Sequence, residues 1–424
     1  MHMMESAGIS PAVKESLWTR NFLLLWQGQF VSILGDVIYA VALGFWILEK
    51  TGSTALMGGL MAASTLPRVL VSPFAGVVVD RVDRKRLMIW MDALRGAAIV
   101  AVAAAALTGL LEVWMVFAAG VLLGACGAFF SPAASSVIPD ITGRSKIVQA
   151  NSMFNMIQTG GSVIGNPVGG ALFQILGAPI LFLFNGVSYL FSAANLLFAR
   201  VPRIHHQKQK SHFLEDLAAG FSFVWRFRGL RTLIGIAALV NFFANMAIML
   251  FLPFFKKNPA LGPAKYGIVM AFFTGGMFLG MALTAAVKIP PAKRNVLFNA
   301  CGMVSMVLLA VFPFIRSFAL MNVDLALAGF ANAILNVFIM ATMQLTVPQA
   351  MRGKVFALMG MVTQGLTPIA MALGGVIALA VPEGIIITAC FAITFFVGSP
   401  LLLLRSFRRF ICFDPEKDTL ESVR

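Results

Sequence analysis

Among the charged side chains inside otherwise apolar stretches of this chain, four stand out: Asp36, Arg68, Asp92 and Arg95. A charge at the centre of a bilayer costs about 2.5–3.5 kcal/mol on insertion scales, so such residues mark ion or proton pathways by default. Asp36 is the first candidate. It shares a helical face with Gln29, Ser32 and Tyr39, and a lone acid in a low-dielectric wall favours its protonated form, as a proton carrier requires. Arg68 lies at similar depth in the next apolar segment, so an Asp36–Arg68 pair is expected, with pairing opposing protonation. Asp92 and Arg95 sit three residues apart. They fit an intrahelical pair or a network at the segment end, and the network, with a gating role, is the preferred reading.

Other chemistry finds no residues. The four histidines, His2, His205, His206 and His212, lie outside the apolar stretches. Cys126, Cys301, Cys390 and Cys412 are scattered without disulfide or metal spacing. No H-E-x-x-H motif and no phosphate-binding glycine loop occurs, so an enzyme and an ATP-driven machine are both disfavoured. The expectation is no metal and no cofactor, with a proton gradient as energy source.

The elements that hold these residues are membrane helices. Hydrophobic residues make up 59% and charged residues 12% of the 424 positions, against about a quarter charged in ordinary soluble domains. Apolar runs near the 20 or so residues needed to span a bilayer occur around 22–48, 54–79, 87–110, 113–135, 149–174 and 179–199. A second set lies around 232–255, 266–287, 296–315, 319–345, 355–380 and 385–404. The fold class read from this is all-α integral membrane, with twelve transmembrane helices in two six-helix bundles. The division is a 1–20 terminus, a 21–200 bundle, a 201–231 linker, a 232–404 bundle and a 405–424 tail. The first segment is too long for a cleavable leader and reads as a spanning helix.

The net charge of +15 is topological. Most Lys and Arg residues fall in the termini and in every second loop. Only Lys50, Lys256, Lys257, Lys265 and Arg316 occupy the alternate loops. This positive-inside pattern places both termini in the cytoplasm of a bacterial-type inner membrane, and no basic domain suited to nucleic acid is present. Within the linker, Phe213, Leu217, Phe221 and Val224 suggest an amphipathic helix lying on the bilayer surface. The halves look alike: the 209-residue offset between Pro139 and Pro348 also carries Asp36 onto Asn245. Parallel repeats of this kind place a substrate site between the halves near the midplane.

Further polar positions recur at helical spacing. Asn155 and Gln158, Asn241 and Asn245, Asn332 and Asn336, and Gln364 are candidates to line a substrate cavity together with Gln29, Ser32 and Tyr39; the alternative is interhelical hydrogen bonding. In the fifth segment, Gly161-x-x-x-Gly165-Asn166-Pro167-Val168-Gly169-Gly170 offers small residues for close packing and a proline to bend the helix. The 24 Met and 38 Phe residues suit a surface that repacks around varied hydrophobic cargo.

The most specific signal is Gly76-Val-Val-Val-Asp80-Arg81-Val-Asp83-Arg84-Lys85-Arg86 between the second and third segments. This loop resembles the signature of the major facilitator superfamily. Several further patches resemble its drug/proton antiporter branch, which includes macrolide efflux proteins. They are Arg20-Asn21-Phe22, Leu34-Gly35-Asp36, Ser131-Pro132-Ala133, Ala150-Asn151-Ser152 and Arg352-Gly353-Lys354-Val355-Phe356. The resemblance implies a monomeric, proton-driven exporter of amphipathic small molecules working by alternating access within membrane lipid. It implies a latch of Gly76, Asp80, Arg81, Arg84 and Asp140, to which Asp92 and Arg95 are added. Asp80 would reach the eleventh helix and Arg84 would pair with Asp140, stabilising the outward-open state. The fifth segment resembles the branch's antiporter motif, with Asn166 standing where Gly is usual. The branch often has an Arg in its fourth helix; here that helix has none, and Arg68 is the available substitute. Export of a physiological compound such as a siderophore, or flipping of a lysophospholipid, would share these motifs.

Overall fold

The computed structural model describes residues 17–79, 81–142, 146–201, 213–287, 289–399 and 404–413. Asp80, most of the linker, and most of both termini lie outside these residues. Ten helices among the described residues are long and apolar enough to cross a membrane, and in hydrocarbon a helix is the one open structure that satisfies its own backbone.

The first bundle contains α1 (Arg20–Thr51), α2 (Thr54–Val79), α3 (Arg84–Leu107), α4 (Val113–Ile141) and α5 (Ile147–Phe198). At 52 residues α5 is two passes joined at Gly177, whose φ of 72° and ψ of 178° reverse the chain. Only glycine takes that conformation freely, and Pro179 starts the returning arm. Where a loop is expected between 174 and 179, a single residue makes the turn. The linker contributes α6 (Phe213–Arg226). The second bundle holds α7 (Arg228–Lys257), α8 (Gly262–Ala286), α9 (Pro291–Val311), α10 (Phe318–Thr346), α11 (Gln349–Gly365), α12 (Thr367–Ile377) and α13 (Glu383–Gly398), with α14 (Arg405–Ile411) after it. α11 and α12 form one pass broken at Leu366, because Pro368 has no N–H to continue the ladder. With α5 counted as two passes and the shorter apolar α13 added, the described helices make twelve apolar passes.

α1 lies along both arms of α5, α3 packs on α4 and α5, and α2 packs on α4. In the other bundle α7 pairs with α13, α8 with α10, and α9 with both α10 and α13. α6 rests on α11 and α7. Its Val224 is buried, whereas Phe221, three residues earlier on the same side of the helix, is exposed; the side chains of Phe213 and Leu217 are outside the described residues.

The bundles meet through α5 on α8, α2 on α12, and α1 on α7. The tightest approaches fall at the end opposite α6 and the start of α1. A Cβ at Gly58 would sit 2.4 Å from the Met371 carbonyl, and one at Gly267 would sit 2.3 Å from the Asn166 carbonyl. Gly58 and Gly267 are separated by the same 209-residue offset as Pro139 and Pro348, so the two crossings are repeats of one device. Thr54 Oγ1 donates to the Gly375 carbonyl at 3.0 Å, Glu49 pairs with Lys256, and the buried Phe45 and Phe255 hold the partly buried Tyr266 between them as an aromatic plug. Toward the linker end the bundles part: Gly76, Gly160 and Gly360 look onto open space.

Substituting Gly267→Val should therefore weaken closure at the plugged end. A cysteine pair at Glu49→Cys and Lys256→Cys should cross-link readily in the parent. It should do so severalfold less in the Gly267→Val background, while Gly160→Val, which meets nothing, should leave the yield unchanged.

Candidate functional site

The polar face of α1 is not turned to the cleft between the bundles. Gln29, Ser32 and Tyr39 are all buried, facing a matching polar ladder on the returning arm of α5. Gln29 Nε2 donates to Ser192 Oγ at 3.4 Å and Gln27 Nε2 to Asn195 Oδ1 at 3.1 Å. Gly35 lies against Ser188 and Asn185, and the Tyr39 ring tilts onto Phe182 at 5.2 Å. These three side chains, expected to line a substrate cavity, are instead packed against α5, where Gln29 finds a partner and the Tyr39 hydroxyl has none among the described residues.

Asp36 is the member of that face that stays partly exposed. Its Oδ1 accepts a hydrogen bond from the Tyr189 hydroxyl. Behind the phenol ring sits Arg95, its guanidinium carbon 4.4 Å from the Tyr189 centroid and 4.6 Å from that of Phe130. Arg95 pairs with Asp92 on its own helix, and Asp92 is 0% exposed. The cluster thus holds two carboxylates and one guanidinium, contributed by α1 and α3 and bridged by Tyr189 of α5. One added proton makes it neutral.

Arg68 stands apart. It is exposed, donates to Ser131 Oγ of α4 at 3.4 Å, and makes no ion pair with Asp36 among the described residues. Asp92 and Arg95 are likewise not part of a network at the helix end. They are the intrahelical pair, enclosed because α3 packs that face on α4 and α5.

At the linker end Asp83 caps α3, accepting from the Arg86 amide at 3.0 Å. Arg84 donates to Asp140 Oδ2 at 3.0 Å, tying α3 to the end of α4, and Lys85 reaches the Leu197 carbonyl at 2.9 Å. Arg81 is exposed in the turn. Any contact of Asp80 falls outside the described residues.

The small residues of α5 divide between two neighbours. Gly161, Gly165 and Gly169 face Ile33, Val37 and Ile38 of α1, while Gly170 faces Pro263 and Gly267 of α8. α5 continues unbroken through Pro167. Asn155 and Gln158 precede this α8-facing surface and are exposed where the bundles separate; Gln364 and Asn336 are exposed as well. Asn241 and Asn245 donate to the Ala237 and Asn241 carbonyls at 2.9 and 2.8 Å. Asn336 donates to both oxygens of Asn332. These amides are thus held by their own helices while remaining at least partly accessible.

Sequence reasoning misses the ladder Asn185, Ser188, Tyr189, Ser192 and Asn195, although its spacing of three and four residues is legible as a helical face. It also misses Asp324, an acid of α10 that is only 8% exposed and whose Oδ2 has no hydrogen-bond partner among the described residues.

A two-bundle, twelve-pass helical fold with a cleft open at one end and a charge cluster in one bundle defines a membrane transporter, not an enzyme. The family model described as Major Facilitator Superfamily matches residues 25–372, and the chain belongs to that family. Among curated relatives it is 24% identical over 384 residues to macrolide efflux protein A of Streptococcus pyogenes, covering 89% of this chain and 91% of that one. It is 28% identical over 368 residues to the multidrug efflux pump Tap of Mycolicibacterium fortuitum, covering 84% and 88%. Among solved structures, the fold matches a point mutant of the nucleoside transporter NupG with a TM-score of 0.68 at 14% identity, over 92% of this chain and 99% of that one. It matches a bacterial homologue of the iron transporter ferroportin, in its inward-facing state, with a TM-score of 0.67 at 16% identity, over 90% and 98%.

Removing one partner of a buried ion pair typically costs about 3–5 kcal/mol. Arg95→Gln should therefore lower thermal stability of the purified protein markedly. The double variant Asp92→Asn/Arg95→Gln should recover part of that loss, as read by unfolding in detergent.

Proposed function

We propose that this chain is a proton-coupled exporter of amphipathic small molecules in a bacterial-type inner membrane, acting as a monomer with both termini in the cytoplasm. The observation that carries this reading is the set of two carboxylates sharing one guanidinium inside the first bundle. An enclosed site with one negative charge too many is stabilised by taking up a proton, and Asp36 is the acid that remains partly accessible. Two relatives are named for efflux, one of macrolides and one of multiple drugs, which supports export and an apolar, variable cargo.

The positive-inside distribution makes the open, linker end cytoplasmic. The arrangement described is then the cargo-loading one. Cargo enters between the bundles, past Asn155, Gln158, Asn336 and Gln364, with Arg68 exposed on α2 beside Ser131 of α4. Asp36 releases its proton inward as cargo is taken up. The bundles rock, the glycine crossings at the outer end part, and cargo leaves. Asp36 then regains a proton from outside, and Tyr189 holds the carboxyl at the edge of the Arg95 site throughout. In the outward-open state Gly76, Asp80 and Arg81 latch the cytoplasmic ends, while the Arg84–Asp140 pair, already formed with that end open, holds α3 to α4 within the first bundle. Energy comes from the proton gradient, with no cofactor.

The test is cargo-dependent proton movement in proteoliposomes under an imposed pH gradient, with macrolides and cationic dyes as cargo. Wild type should couple the two fluxes, and Asp36→Asn should bind cargo yet move no protons with it. Equal proton coupling in both proteins would sink the assignment of Asp36. Absence of any cargo-driven proton movement in wild type would sink the antiport itself.

A further inference from the structure

A second feature lies away from the charge cluster, at the linker end of the second bundle. α6 and α11 leave between them a hollow of about 610 Å3 lined by Ala218, Phe221, Leu358, Met361, Val362 and Gly365. Every lining group is apolar. The hollow ends at the α11–α12 break, and Gly365 stands beside Val69 of α2, so it opens along the line where the two bundles part.

Polarity changes in one direction from this hollow. Phe221 stacks on Trp225 with centroids 5.4 Å apart, and the Arg231 guanidinium lies 4.8 Å from the Trp225 ring. Phe221 and Trp225 are 53% and 57% exposed although both are large aromatic groups. Arg226, Arg228 and Arg231 are exposed beside them, whereas Glu215 and Asp216 belong to the opposite end of α6. α6 is anchored, not floating: Val224 and Phe227 are buried, and Gly220 sits directly on the Lys354 backbone.

An apolar slot, then an aromatic shelf, then a guanidinium cluster is the order of groups in an anionic phospholipid: acyl chain, glycerol ester, phosphate. Aromatic rings favour the ester level of a bilayer, and basic pockets beside transmembrane helices take anionic head groups. We propose that this groove is a binding site for an anionic phospholipid of the surrounding bilayer. One acyl chain fills the hollow, the ester region lies on Phe221 and Trp225, and the phosphate sits on Arg231 and Arg228. A zwitterionic lipid fills the hollow as well, but its ammonium group opposes the arginines, so selectivity resides in the head group. The site is independent of proton coupling, and it places a lipid beside the α2–α11 line that must open and close if the bundles rock.

The experiment uses the full chain in vesicles of phosphatidylcholine containing increasing fractions of brominated phosphatidylglycerol or brominated phosphatidylcholine. The Trp225 signal is taken as the difference between wild type and Trp225→Phe. Brominated phosphatidylglycerol should quench it at about fivefold lower mole fraction than brominated phosphatidylcholine. Arg228→Gln/Arg231→Gln should bring the two curves together, and Arg228→Lys/Arg231→Lys should keep most of the preference. Equal quenching by both lipids in wild type overturns the proposal, as does a preference that survives the glutamine pair. Displacement of the brominated lipid from Trp225 by an exported amphipath would assign the groove to cargo and also overturn it.

Discussion

Burying charge in a membrane bundle is the constraint around which the first half of this protein is arranged. Asp92 and Arg95 cannot face lipid, so α3 must turn that surface toward α4 and α5, where Phe130 and Tyr189 enclose the guanidinium. Tyr189 in turn places its hydroxyl on Asp36, fixing how α1 lies against the returning arm of α5. The polar ladder from Asn185 to Asn195 follows from the same requirement, since each buried amide and hydroxyl of α1 needs an acceptor or donor. Three helices are thereby oriented by one set of charges rather than by apolar fit, which in lipid offers little discrimination between helix faces.

The contact between bundles obeys a different rule. There the helices approach through glycine on backbone, at Gly58 and Gly375 on one side and at Gly170 and Gly267 on the other. The repeat in the sequence explains why both crossings use the same device. Gly58 and Gly267 stand 209 residues apart, at corresponding places in the two halves. Side-chain interdigitation, which would lock two bundles, is confined to the plugged end around Phe45, Tyr266 and Phe255.

Much of this is legible in the residues. Hydropathy and length mark the spans because each must bridge a bilayer, and the Gly76–Arg86 loop marks the family because few sequences carry that charge order. What hydropathy cannot give is azimuth. It places Gln29, Ser32 and Tyr39 on one helical face but not which neighbour that face meets, and so a cavity is expected where α5 stands. The same ignorance sends Asp92 and Arg95 to the helix end and pairs Asp36 with Arg68 on depth alone. Asp324 escapes notice because one acid hardly perturbs the hydropathy of α10. The turn at Gly177 reads as a loop because a reversal made by a single residue needs a positive φ that sequence only permits.

That turn has a mechanical consequence. The outgoing arm of α5 bears Gly170 against α8, and the returning arm bears Tyr189 against Asp36 and Arg95. Between them stands one glycine and no loop. The two arms therefore share a single pivot, which joins the helix that carries part of the charge set to the helix that faces the second bundle.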